Sequence, residues 1–158
     1  MPLRFQILWA GRNSPEPWES LCADYRGRIA PWVPIEERAI RVAGKSDGVV
    51  RRRQEAQALE KATADPAFRV ALSEEGDLWS SERWKQQIDR WRSEWPHPVV
   101  FYVGSDVGLD PELMAGCRLR LAFGRMTLAH PLARLVLLEQ LYRALSMAAG
   151  IHYHRATL

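Results

Sequence analysis

Short apolar runs alternate with longer amphipathic stretches along this chain, and the alternation repeats five times. Residues 3–9 suit a first strand, with Phe5, Ile7 and Trp9 on one face. Ser14-Pro15-Glu16 then marks a helix start, Ser14 as cap and Pro15 in the first turn, for a helix running to about Ala30. A second strand over about 35–42 leads into the loop Gly44-Lys45-Ser46-Asp47-Gly48, and a charged helix follows over about 49–64. Residues 68–72 are apolar and short, as a buried strand would be. Ser80 opens another helix, which ends near Trp95-Pro96. Residues 98–103 are β-branched or aromatic almost throughout and lack polar alternation, the pattern of a strand covered on both faces. Asp110-Pro111-Glu112 caps a short helix to about Gly116, and residues 118–123 form a fifth strand. The last helix spans about 131–149, with Leu132, Leu135, Val136, Leu138, Leu141 and Leu145 as its apolar side and Glu139 and Arg143 as an i,i+4 ion pair.

Five strand-helix alternations predict one α/β domain over residues 1–158, a mostly parallel sheet with helices on both faces. No internal repeat, low-complexity tract or linker interrupts it. A chain of 158 residues buries roughly 70% of its unfolded surface, enough to fold without disulfides or metals. Cys22 and Cys117 stand far apart in no metal-binding spacing and are expected to be small buried hydrophobes. No stretch approaches the roughly 20 apolar residues of a membrane span, and residues 3–10 are too short and poorly flanked for a secretory signal. A cytoplasmic location is the default expectation.

The formal charge is +3, a mild basic excess compatible with a polyanionic partner. Cations cluster at Arg41, Lys45, Arg51, Arg52 and Arg53. Three consecutive arginines spread by about 100° per residue around a helix, so they raise the potential of one edge without converging on one phosphate. Trp84, Trp91 and Trp95, at helical spacing, are expected in the core or at a dimer surface.

Ligands of open parallel sheets sit beyond the carboxyl ends of the strands, which directs attention to the loops after Leu72, Val103 and Phe123. The middle loop, Gly104-Ser105-Asp106-Val107-Gly108, lets backbone approach a ligand closely. It is neither a dinucleotide fingerprint nor a P-loop. The third loop, residues 124–131, carries Arg125 as its one charge and ends in His130-Pro131; His130 is either a hydrogen-bonded helix-start residue or a ligand contact. The terminus places His152, Tyr153, His154 and Arg155 together. No carboxylate or cysteine cluster completes a metal site there, and the combination suits a phosphate or a base edge.

Thr127-Leu128-x-His130-Pro131-Leu132-x-Arg134, Glu139-x-Leu141-Tyr142-Arg143-Ala144 and Tyr153-His154-Arg155 together resemble the SPOUT class of methyltransferases, most of all its small RlmH family, the ribosomal RNA large subunit methyltransferases H. The resemblance implies a trefoil knot made by the C-terminal segment, which general topology rules disfavour. It implies a homodimer with the active site at the subunit interface, S-adenosyl-L-methionine as cofactor, and no metal. The implied reaction is methylation of N3 of a pseudouridine in 23S rRNA within the assembled ribosome. Carried over by position, the cofactor-binding residues are Leu72, Gly104, Phe123, Gly124, Arg125, Met126, Thr127 and Leu128, and the catalytic group is His154 flanked by Tyr153 and Arg155. The family commonly shows Gly-Gly-x-Glu-Gly in the middle loop. Here Ser105 replaces the second glycine and Val107 the acid, with Asp106 one place earlier; the usual Leu-Pro-His-Pro is Leu128-Ala129-His130-Pro131.

Chemically, methyl transfer from a sulfonium needs alignment, exclusion of water and loss of the acceptor N–H proton. His154 can take that proton, and Arg155 or Arg143 can stabilise the anion on a ring carbonyl. Tyr153 and Trp9 are candidates to stack on a splayed base. Two other classes compete: a non-catalytic ribosome- or RNA-binding module on the same fold, and a flavodoxin-like or nucleotide-binding enzyme for small molecules.

Overall fold

The computed structural model describes residues 3–42 and 47–153. Gly44, Lys45 and Ser46, and His154 and Arg155, lie outside the described residues. In order come β1 (Arg4–Ala10), α1 (Trp18–Ile29), β2 (Ile35–Ile40), α2 (Gly48–Ala62), β3 (Phe68–Leu78), α3 (Ser81–Glu94), β4 (Pro98–Val103), α4 (Pro111–Ala115), β5 (Leu119–Ala122) and α5 (His130–Ala148). The strands form one sheet in the order β2-β1-β4-β3-β5, and every pairing is parallel. The chain is a single α/β unit, as the alternation predicts.

Strand β4 is central and buried at all six positions, which is why its apolar run shows no polar alternation. Phe5, Ile7, Trp9 and Phe101 face one side, where they meet Cys22 of α1, Ile88 and Trp91 of α3 and Leu141 of α5. Leu8, Val100 and Tyr102 face the other and meet Ala56 and Leu59 of α2 and Leu113 of α4. Trp84 and Trp91 are core residues, and Trp95 packs against that core at its edge. Both cysteines are free thiols, and burial pushes each up to about 11. Among the described residues no helix is long and apolar enough to cross a membrane.

Local signals explain most boundaries. Asp47, Ser80 and Asp110 cap α2, α3 and α4 by accepting from Val50 N at 3.1 Å, Arg83 N at 3.1 Å and Glu112 N at 3.0 Å. Ser14 does not act as a cap. Proline at 17 disfavours helical backbone at Glu16, so α1 starts only at Trp18. Ser14 is thereby released to the interior, where its Oγ accepts from Arg134 Nη1 at 2.9 Å.

Strand β3 also runs further than the apolar stretch 68–72. It pairs with β5 through Leu72 and again through Asp77, both opposite Leu121, so that residues 73–76 arch out between two pairings. A Cβ on Gly76 would lie 2.7 Å from the Arg120 carbonyl and the Leu121 carbon, closer than packed atoms approach. Gly76→Ala should therefore destabilise the fold by about 1–3 kcal/mol, the usual cost of overpacking against backbone. Urea denaturation reads this directly, and an unchanged midpoint would show that the arch yields freely.

Candidate functional site

The three loops singled out at the strand ends converge. The arch within β3 and the segments after β4 and β5, with the first turn of α5 and Arg52 of α2, line one cleft of about 540 Å³. That lies within the range of about 300–1,000 Å³ usual for small-molecule sites. Leu72, Val103, Leu121 and Phe123 give it an apolar lining, and Glu74, Glu75 and Asp106 bring carboxylates to it. Phe123 is fixed by stacking on Trp84 with centroids 6.4 Å apart.

Glycine is needed where backbone forms the wall. Gly108 and Gly124 adopt φ of 76° and 145°, which side chains disfavour. A Cβ at Gly104 would meet the Gly108 and Leu109 backbone at 3.3 Å. Arg125 does not line the cleft. Its Nη1 instead donates to the carbonyls of Glu74 at 2.7 Å and Gly76 at 2.8 Å, pinning the β5 loop to the arch in β3.

Polar groups without partners point to a ligand. His130 Nε2 and Arg52 Nε are buried and hydrogen-bond to nothing among the described residues, and both residues belong to the cleft lining. Burial, then the nearby Arg134 charge, hold the His130 ring below the usual histidine range, with Asp106 opposing. His130 is thus a neutral imidazole at physiological pH, able to donate or accept one hydrogen bond.

Behind the first turn of α5 lies a buried ionic network. The Arg134 side chain is fully buried; its Nε meets Glu37 Oε1 at 3.0 Å and its guanidinium covers the Trp9 ring at 3.7 Å. Arg26 pairs with the same Glu37 and with Glu19 at 3.1 Å. These contacts tie β1, β2 and α1 to the turn that presents His130. At the opposite face of α5, Tyr153 donates to Glu139 Oε1 at 3.2 Å, and its hydroxyl lies 3.1 Å from that of Tyr25. Its ring packs on Tyr142 at 4.7 Å and under Arg143 at 4.9 Å.

The comparisons with known proteins agree on one family. A family profile described as "Predicted SPOUT methyltransferase" matches residues 3–154. A ribosomal RNA large subunit methyltransferase H of Acidithiobacillus ferrooxidans is 40% identical over 97% of this chain and 98% of its own length. One from Desulfotalea psychrophila is 36% identical over 97% of this chain and all of its own. This chain belongs to the SPOUT methyltransferase family. A distant likeness, at TM-score 0.48 and 14% identity, is to the SpoU methyltransferase AviRb of Streptomyces viridochromogenes, covering 90% of this chain and 58% of that one.

Within this SPOUT chain, Leu72, Gly104, Phe123, Gly124, Met126, Thr127 and Leu128 come together at the cleft, while Arg125 braces it from outside. Tyr153 sits on the far side of α5. His154 and Arg155, the other two expected catalytic residues, lie outside the described residues. Trp9 is not available to a base, being 2% exposed and covered by Arg134. The SPOUT cleft also uses Arg52 and Gly76, which no motif marked, and beneath it Glu37 paired with Arg134, a motif residue whose buried role the motif did not mark. The clue for Arg134 was its place at the head of the stripe Arg134, Leu137, Leu138, Leu141, Leu145, which is the face α5 buries.

Proposed function

We propose that this protein transfers the methyl group of S-adenosyl-L-methionine to N3 of a pseudouridine in 23S rRNA of the assembled ribosome, acting in the cytoplasm as a homodimer. The observation that carries this reading is the convergence of the three strand-end loops of a SPOUT chain on one cleft whose size and lining suit the donor. The apolar lining accepts a base ring, and the carboxylates favour a cationic ligand. Unpartnered His130 Nε2 and Arg52 Nε offer hydrogen bonds to it.

When bound, S-adenosyl-L-methionine supplies a methyl already activated by its sulfonium. The chain's own part is alignment and proton management. Leu72, Val103 and Phe123 keep water from the reacting centre. His154 accepts the N3 proton, Arg155 stabilises charge on the neighbouring ring carbonyl, and Tyr153, anchored to Tyr25 and Glu139, sets where that terminal segment begins. Arg143 is held against Glu139 at 2.6 Å and serves the anchor.

The position of this anchor supports the dimer. Glu139 is nine residues beyond His130, about 13 Å along α5 and half a turn around it. Tyr153 is fixed on that opposite side, away from its own cleft, which supports a site completed by a second copy. Leu132 and Val136 of α5 stay half-buried outside both core clusters, surface that a second copy would cover. The threaded, knotted path implied by the family belongs to the same proposal.

The test uses ribosomes, since a net charge of +3 gives little counterion-release affinity for a naked oligonucleotide. Ribosomes lacking the modification, incubated with the protein and labelled donor, should gain one methyl, mapped by mass to N3 of a pseudouridine. Ribosome binding with no incorporation would instead favour a non-catalytic module. Arg125→Ala should weaken calorimetric donor binding about tenfold, because two charged hydrogen bonds between loops are lost. An unchanged Kd would make that brace irrelevant to the cleft.

A further inference from the structure

The middle loop of the cleft is held from outside by α2, through one residue that no motif of the family resemblance includes. Glu55 is buried, and each of its carboxyl oxygens has its own partner. Oε2 accepts from Ser105 Oγ at 2.8 Å, and Oε1 from Arg51 Nε at 3.1 Å. Ser105 Oγ in turn accepts from Val107 N at 3.3 Å, and Arg51 also pairs with Asp106. Three consecutive loop residues are therefore tied to one carboxyl group on α2: Ser105 directly, Val107 through Ser105 and Asp106 through Arg51. A hydroxyl can donate to Glu55 and accept from Val107 at once; the glycine common at this position in the family can do neither.

We propose that Glu55 is a positioning residue for the methyl donor: it fixes the shape of the 104–108 loop, and Ser105 is this chain's means of receiving that constraint. The inference rests on the cleft being the donor site. Gly104 and Gly108 leave the loop with many backbone conformations of similar energy. Glu55 selects the one in which Gly104 lies against Gly108 and the cleft stays open. Its effect should fall on donor affinity, since it touches neither the donor nor the acceptor base.

The experiment compares the native chain with Glu55→Ala, Ser105→Ala and the double variant, each well below its melting temperature. Calorimetry gives Kd for S-adenosyl-L-methionine, and ribosome methylation gives KM and kcat. Each single variant should raise Kd and the donor KM about tenfold with kcat within about threefold, and the double variant should be no worse than the worse single, because both cut the same tie. Ser105→Thr, which keeps the hydroxyl, should restore most of the affinity. Folded variants whose Kd stays within about twofold of native, with only the melting temperature lowered, would overturn the positioning role, as would single effects that multiply in the double variant. Failure of the native chain to bind the donor would instead remove the cleft assignment, and this inference with it.

Discussion

Replacing Arg134 by leucine should lower the unfolding free energy by about 3 kcal/mol, the low end of the cost of breaking a buried ion pair. The side chain has no solvent-exposed surface, and Glu37 is 2% exposed. Removing the cation takes one of two cationic partners from a carboxylate that is almost fully buried. Glu37 keeps Arg26, which is why the low end applies. Two further losses act in the same direction. Ser14 loses the donor to its Oγ, and Trp9 loses a desolvated cation over its ring face, a contact worth up to about 2 kcal/mol. For a domain of this size the melting temperature should fall by about 6–12 °C. Arg134→Lys should recover little, because an ammonium cannot reach Glu37 and Ser14 together as the guanidinium fork does. A leucine variant within about 1 kcal/mol of native in urea would mean that the pair merely breaks even with a hydrophobe of similar size.

The same residue shows where reading the sequence stopped. Strand and helix order was legible because β4 is unbroken in its apolar character, and Ser80 and Asp110 stand where helix-capping chemistry needs them. The three cleft loops were legible because parallel sheets bind at their carboxyl ends, a rule needing only the strand boundaries. The buried role of Arg134 was not, although the residue stands in a motif, since an arginine inside a leucine-rich helix looks like a solvated interruption until Glu37, 97 residues away, is found facing it. Glu55 was hidden likewise: its partner Ser105 is 50 residues distant, and α2 reads locally as a charged surface helix. The arch at 73–76 was hidden because Ser73-Glu74-Glu75 is loop-like in composition, and the strand resumes through contacts that only β5 supplies. Ser14 misled for the opposite reason, a strong local signal overruled by proline at 17. Long-range pairing of polar groups is what a one-dimensional pattern fails to carry.

Mutation of His154 to alanine should cut methyl incorporation into ribosomes by about a hundredfold or more, the usual weight of a general base, while donor binding and dimer formation stay native. Unchanged incorporation would remove His154 from the proton transfer. The stronger result comes from mixing chains. Tyr153 is held by Tyr25 and Glu139 on the side of α5 away from His130, and in the proposed homodimer a chain's tail would serve its partner's cleft. A His154→Ala chain has a sound cleft and a dead tail. A Gly104→Val chain, whose side chain would crowd the Gly108 backbone, has a sound tail and a dead cleft. Each alone should be nearly inactive. Co-refolded in equal amounts, half the dimers are mixed, and each mixed dimer pairs one sound cleft with one sound tail, so about a quarter of native sites return. If each tail served its own cleft, no mixture would recover activity, because every cleft-and-tail pair would carry one lesion. Activity regained at about a quarter of native therefore requires the cleft and the tail of a working site to come from different chains, and a flat mixing curve excludes it.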